Sequence, residues 1–278
     1  MDWLQLLLVL AAGVLAGMVN TIVGAGTLIT FPLLVALGIP PLTANVSNTV
    51  GLVPASVTGA WGYRRELSGQ WPVVLRMAVL SAIGGVAGGL LLLAAPAEAF
   101  TQVVPWLLVL AAVLAAVQPR VGAAVRRRAA EKARVAACVP NGSAGESAAA
   151  AKPDRRAVTR PLTVGLALGI MATGVYGGYF GAAQGVVLLA LLGIAWTTDL
   201  QQANGAKNVL AGVANLVSAT VFIVGGVVDW RIAGLIAVGS ALGGVLGARI
   251  GRRIPAPLLR ILIVVVALSA AVLIAVRG

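Results

Sequence analysis

Long apolar runs separated by short polar joints dominate the chain. They lie at 3–19 continuing to 37, 45–63, 72–95, 102–118, 162–181 continuing to 195, 207–226, 231–248 and 258–276. A helix needs about 20 apolar residues to cross the hydrocarbon core. None of the runs alternates as a membrane strand does. The pattern predicts an all-α integral membrane protein with about eight transmembrane segments.

Two runs are too long for one straight crossing, because about 35 residues at about 1.5 Å each exceed the bilayer core. Both are interrupted by glycine and polar residues, GMVNTIVGAGTLITFP at 17–32 and GVYGGYFGAAQG at 174–185. The chain must break or re-enter there, and non-helical backbone at membrane depth survives only inside protein or along a wet cavity. Gly24, Gly26, Gly181, Gly185 and Gln184 are therefore candidate site residues. Tyr176 and Tyr179, in the same stretch, read as cavity-facing or, preferably, interfacial aromatics.

The breaks occupy corresponding places in two related halves. Aligning 71–96 with 230–255 without gaps gives ten identities in 26 positions, among them Trp71/Trp230, Ser81/Ser240, Gly84/Gly243, Gly88/Gly247 and Pro96/Pro255. The same offset of 159 residues pairs Gly26 with Gly185 and Asn45 with Asn204. Duplicated membrane proteins with glycine-interrupted segments are most often transporters, with the site where the repeats meet. The glycines spaced four apart, such as Gly13/Gly17 and Gly243/Gly247, read mainly as close helix packing.

Three regions follow: a first membrane repeat over 1–118, a linker over 119–160 and a second repeat over 161–278. The linker is rich in Ala, Arg, Gly and Ser, carries Pro140, Asn141, Gly142 and Pro153 as breakers, and reads as a solvated spacer. Composition supports the membrane assignment: 60% of the 278 residues are hydrophobic and 10% charged, against about 25% charged in soluble domains. Net charge is +12, but ten of the 20 Lys and Arg lie between Arg120 and Arg160. A basic loop beside membrane spans is the mark of a cytoplasmic segment, which predicts a multi-pass protein of a bacterial inner membrane with 119–160 inside. Without an aromatic platform the charge does not point to nucleic acid.

Cys138 is the sole cysteine and histidine is absent, so no intramolecular disulfide, thiolate cluster, zinc–histidine site or histidine base can be assembled. No metal, cofactor or enzymatic activity is expected. The amino terminus lacks the basic n-region of a cleaved signal and reads as a retained span. Orientation has two solutions. Eight single crossings would place Arg249, Arg252 and Arg253 outside, against the charge rule. If each broken segment returns as a hairpin, the halves are inverted and those arginines move inside.

The eight acidic residues fall at segment ends or in loops. What remains at membrane depth is Lys207 with Asn45, Ser47, Asn48, Thr49, Asn204, Asn208, Asn20 and Thr21. One cation amid amide and hydroxyl donors suits an oxyanion, with helix N-termini adding to the field. Asn45 and Asn204 follow short loops and read equally well as helix caps. Lys207, Asn48 and Asn208 lie one turn further in, and the functional reading is preferred there.

These residues resemble the sulfite exporter TauE/SafE family, also described as sulfonate uptake permeases. The resemblance rests on GAG at 24–26 with FP at 31–32, GIPP at 38–41, ANVSNT at 44–49, GGYFGAAQG at 177–185, QANGAKN at 202–208 and GGVLGARIG at 243–251. It covers nearly the whole chain apart from the linker. It implies movement of sulfur-containing or other small organic anions. The reading is a permease or exporter of small anions, with sulfite, sulfonates or related organic acids as candidates. The expected partners are that anion and the bilayer, with homo-oligomerisation left open. The alternative is a membrane scaffold or assembly factor that docks partners on its basic linker.

Overall fold

A computed structural model describes residues 2–138, 160–250 and 265. The described residues form helices and loops only. In chain order they are α1 (Trp3–Ile22), α2 (Thr27–Ala36), α3 (Pro41–Gly62), α4 (Trp71–Ala94), α5 (Ala97–Cys138), α6 (Val164–Tyr179), α7 (Gln184–Ala195), α8 (Leu200–Val224) and α9 (Trp230–Ile250). Among the described residues, five stretches are long and apolar enough to span a bilayer: α1, α4, Ala97–Val117 of α5, α8 and α9. Large apolar side chains stand exposed along them and their neighbours, including Trp61 at 68%, Trp106 at 75% and Val164 at 77%. So extensive an apolar surface suits lipid and not water. The expected span at 258–276 lies outside the described residues apart from Val265, which is helical.

Each over-long run is two helices. α1 stops at Gly24 (φ +84°) and α6 at Gly181 (φ +73°), in the left-handed region that a glycine enters without Cβ strain. The helices that follow have 10 and 12 residues, about 15–18 Å at 1.5 Å per residue.

Close contacts at the small residues fix the helix directions. A Cβ on Gly239 would run into Leu10 and Val14, on Gly243 into Val14 and Met18, and on Gly247 into Met18 and Thr21, so α1 and α9 run parallel. Gly84 meets Met171 and Val175, and Gly88 meets Val175 and Tyr179, so α4 and α6 run parallel too. α3 follows α9, with Gly51 against Ala233 and Ile236 and Gly62 against Ala248; α8 follows α4, with Gly85 against Ala214 and Gly89 against Ser218 and Phe222. α3 and α8 themselves are antiparallel: Ser56 lies by Gly212, Gly59 by Asn208, and Tyr63 and Leu67 by Gly205.

Because α1 and α3 both run with α9, the chain must return between them, and α2 carries it back. Gly26 sits against Ala16 and Asn20 as that return begins. By the same reasoning α7 returns between α6 and α8. Two hydrogen bonds repeat across the arrangement: Ser81 Oγ donates to the Leu210 carbonyl at 2.8 Å, and Ser240 Oγ to the Gly51 carbonyl at 2.6 Å. Both residues of the second bond stand 159 positions from their counterparts in the first.

The sequence reading needs two adjustments. The spacing of 159 relates α3 to α8 and α4 to α9, but the terminating glycines Gly24 and Gly181 are 157 apart, as are the starts of α2 and α7. The two extra residues are taken up in α7, which an ungapped comparison cannot see. Second, the segment expected as a solvated spacer from 119 begins as helix, continuous with α5 as far as Cys138. Ala, Arg, Lys and Glu dominate there, and they favour helix without any apolar face. Residues 139–159 lie outside the described part.

Candidate functional site

The two breaks meet in the middle of the bundle. Gly185 N donates to the Gly24 carbonyl at 3.1 Å, and a Cβ on either residue would collide with the other's Cα. α2 and α7 therefore both start at the centre, bringing their positive N-terminal ends towards it. Gly181 supplies the turn beside this junction, whereas Gly26 is a packing contact against α1. Tyr176 Oη donates to the Ala182 carbonyl at 2.6 Å and ties the second break to α6; Tyr179 packs edge-on against Phe100.

Lys207 is fully buried, and its ammonium donates to the carbonyls of Asn20 at 3.1 Å and Thr21 at 3.0 Å, in the last turn of α1. Those carbonyls lack intrahelical partners and carry the negative end of the α1 dipole, which offsets part of the burial cost of the cation. Asn204 Nδ2 and Asn208 Nδ2 also approach the Thr21 carbonyl, each at 3.4 Å. One carbonyl oxygen with two lone pairs thus faces three donors, and an ammonium with three N–H groups has two acceptors. Donors are in surplus. Asn20 closes the edge through Nδ2 to Ser56 Oγ at 3.3 Å.

The first-half cluster lies elsewhere. Asn48 stands eleven residues from Gly59, the residue opposite Asn208 on antiparallel helices, which places the two groups roughly 16 Å apart along the bundle. Asn48 Nδ2 donates to Thr27 Oγ1 at 3.3 Å, and Asn48 Oδ1 accepts from Thr30 Oγ1. Asn45 Nδ2 donates to the Tyr179 carbonyl at 3.0 Å, the last residue of α6. Thr49 Oγ1 donates to the Asn45 carbonyl one turn back at 2.9 Å, and Ser47 Oγ accepts from Asp229 N at 2.9 Å. Both are occupied locally, Ser47 in holding the start of α9.

Neither Asn45 nor Asn204 caps a helix. α3 starts at Pro41 behind Pro40, and Asp199 caps α8 by accepting from Gln201 N and Gln202 N. The two asparagines sit inside the helices, buried, and each retains an oxygen without a hydrogen-bond partner among the described residues. Gln184, at the first position of α7 and pressed against Gly177, has an unpartnered Nε2 in the same condition. Sequence reasoning missed Thr27 and Thr30, which hold Asn48. Their i, i+3 spacing directly after the GAG break places both on one face of α2, and that was the available signal.

Among the described acidic residues, Asp2, Glu66, Glu98, Asp199 and Asp229 lie at helix starts or in the loop after α3, Asp229 meeting Ser47 through its backbone N, and Glu131 lies in the helical extension of α5.

Residues 9–274 match the family described as sulfite exporter TauE/SafE. A probable membrane transporter protein, ORF9, from Sinorhizobium sp is 32% identical over 40% of this chain and 42% of its own length. The probable membrane transporter protein YfcA of Escherichia coli K12 is 25% identical over 82% of this chain and 74% of its own. A probable membrane transporter protein of Haemophilus influenzae is 23% identical over 85% and 81%. No solved structure matches.

Proposed function

Because the chain belongs to the sulfite exporter TauE/SafE family of membrane transporters, we propose that it carries a small anion across a bacterial inner membrane, with sulfite, sulfonates and related organic acids as the substrate class. The observation that carries this reading is the donor surplus around a fully buried ammonium: Lys207, Asn204 and Asn208 converge on one carbonyl of α1. An anion entering there adds acceptors for the Lys207 ammonium and the two amide N–H groups. Lys207 provides the charge, Asn204 and Asn208 donate hydrogen bonds, and Gln184 and the start of α7 face the same junction from the second break. Asn45, Asn48 and Thr49, with Thr27 and Thr30, form the opposing end of the path.

The arrangement of helices supports a pair of inverted repeats, α1–α4 and α6–α9, with each break dipping into the membrane and returning. On that reading the ends of α3 and α9, with Arg64, Arg65 and Arg249, share one face, which the positive-inside rule makes cytoplasmic. The basic segment from 119 faces the same side. Substrate exit is favoured by an inside-negative potential, by about 2.3 kcal/mol per charge per 100 mV, which suits export without a carboxylate in the path.

Flux of sulfite or a simple sulfonate from proteoliposomes tests the reading. Lys207→Ala loses transport, and Lys207→Arg, with a fork too large for the carbonyl pair, is severely slowed. Wild-type rates in both variants rule out the charge role.

A further inference from the structure

We propose a monovalent-cation site, suited to Na+, at the end of α6 against Asn45, the counterpart of the place that the Lys207 ammonium fills at the end of α1. In both halves the last-turn carbonyls of a broken helix meet a buried asparagine from the long helix of the other half: Asn204 on the Thr21 carbonyl, Asn45 on the Tyr179 carbonyl. A helix end of this kind is electronegative and lacks intrahelical donors. At α1 the negative end receives a cation, since Lys207 Nζ lies 3.0 and 3.1 Å from two of its carbonyls. At α6 the position equivalent to Lys207 is Asn48, which is neutral and turned to Thr27 and Thr30.

A second observation points the same way. Asn45 is 0% exposed, and its Oδ1 has no hydrogen-bond partner among the described residues. The amide cannot be turned over to relieve this, because the oxygen would then face the Tyr179 carbonyl at 3.0 Å. A buried acceptor beside helix-end carbonyls is an all-oxygen, uncharged donor set. Hard monovalent cations take such carbonyl and amide oxygens, and unwound helix ends hold Na+ in other duplicated transporters. A divalent ion would require carboxylates, and none of the described ones is among these contacts. The site stands on this geometry and not on the identity of the transported anion.

The test is thermal unfolding of the purified protein in detergent, titrated with NaCl at constant ionic strength against choline chloride. The wild type shows a saturable rise in Tm of a few degrees with Na+. Asn45→Ala loses that rise. Asn48→Lys installs in the first half the ammonium that the second half has, and it stays folded with a Tm that no longer responds to Na+. An equal response to choline, no response in the wild type, or a Na+ response that survives in Asn48→Lys each overturns the proposal. If Asn45→Ala does not fold, the wild-type and Asn48→Lys titrations decide it. Anion flux is absent from the readout, so a failure here leaves the permease reading to its own test.

Discussion

At the scale of single residues, the informative feature of Lys207 is what its ammonium touches. Two backbone carbonyls hold it, so the lysine closes the end of α1 and, on the permease reading, also supplies the charge that the substrate meets. Lys207→Met removes both roles while keeping volume. It leaves the Asn20 carbonyl without its ammonium donor and the Thr21 carbonyl with two long amide contacts, at a cost of about 1–3 kcal/mol. A fall in Tm in detergent, measured beside the lost flux, is the expected outcome; an unchanged Tm would mean the carbonyls find other donors. The sequence made Lys207, Asn204 and Asn208 legible as a group because all three lie within five residues of one helix. It did not make their acceptor legible, since that is backbone 183–187 residues away in the chain. For the same reason the 45–49 and 204–208 clusters looked like one site. Periodicity gives depth along each helix, and the antiparallel crossing of α3 and α8 sets them on opposite ends.

At the scale of elements, small residues decide how helices meet, and α9 contains its own control. A methyl on Gly243 would overlap the Val14 carbonyl, whereas one on Gly234 meets nothing within 4 Å. Gly243→Ala therefore lowers Tm by forcing α1 and α9 apart. Gly234→Ala stabilises by about 0.5–1 kcal/mol through helix propensity. Equal effects from the two would show that the contact between α1 and α9 is not tight. The glycine stripes were readable as packing surfaces, but their partners were not: a four-residue spacing names a face without naming the helix it meets. The helical course of α5 to Cys138 was hidden for a different reason. Apolar periodicity reports burial of one face, and an Ala- and Arg-rich helix needs no buried face to form.

At the scale of the whole molecule, opposed directions of α3 and α8 place the loop after α3 and the end of α8 on opposite faces. In a Cys138→Ser background, Ser68→Cys and Val224→Cys should react with a membrane-impermeant maleimide from opposite sides of the membrane. Labelling of both from one side would sink the inverted arrangement. The sequence pointed to a duplication through Trp71/Trp230 and Ser81/Ser240, which share one spacing. It left the handedness of the pairing open, because a repeat in sequence is silent on which way its second copy faces. Directions came from contacts such as Gly88 with Tyr179 and Gly247 with Thr21.

The exchange of partners between the halves has a consequence for how the protein is made. α1 lies along α9 and α6 along α4, so α1 is synthesised well before the helix that covers its glycine face. Neither half is a finished object when synthesised alone. Fragments divided within residues 139–159 and expressed together should assemble into a protein that survives in the membrane, and each expressed by itself should be degraded. Biogenesis then joins two unfinished half-bundles, and the membrane must hold the first of them until the second arrives.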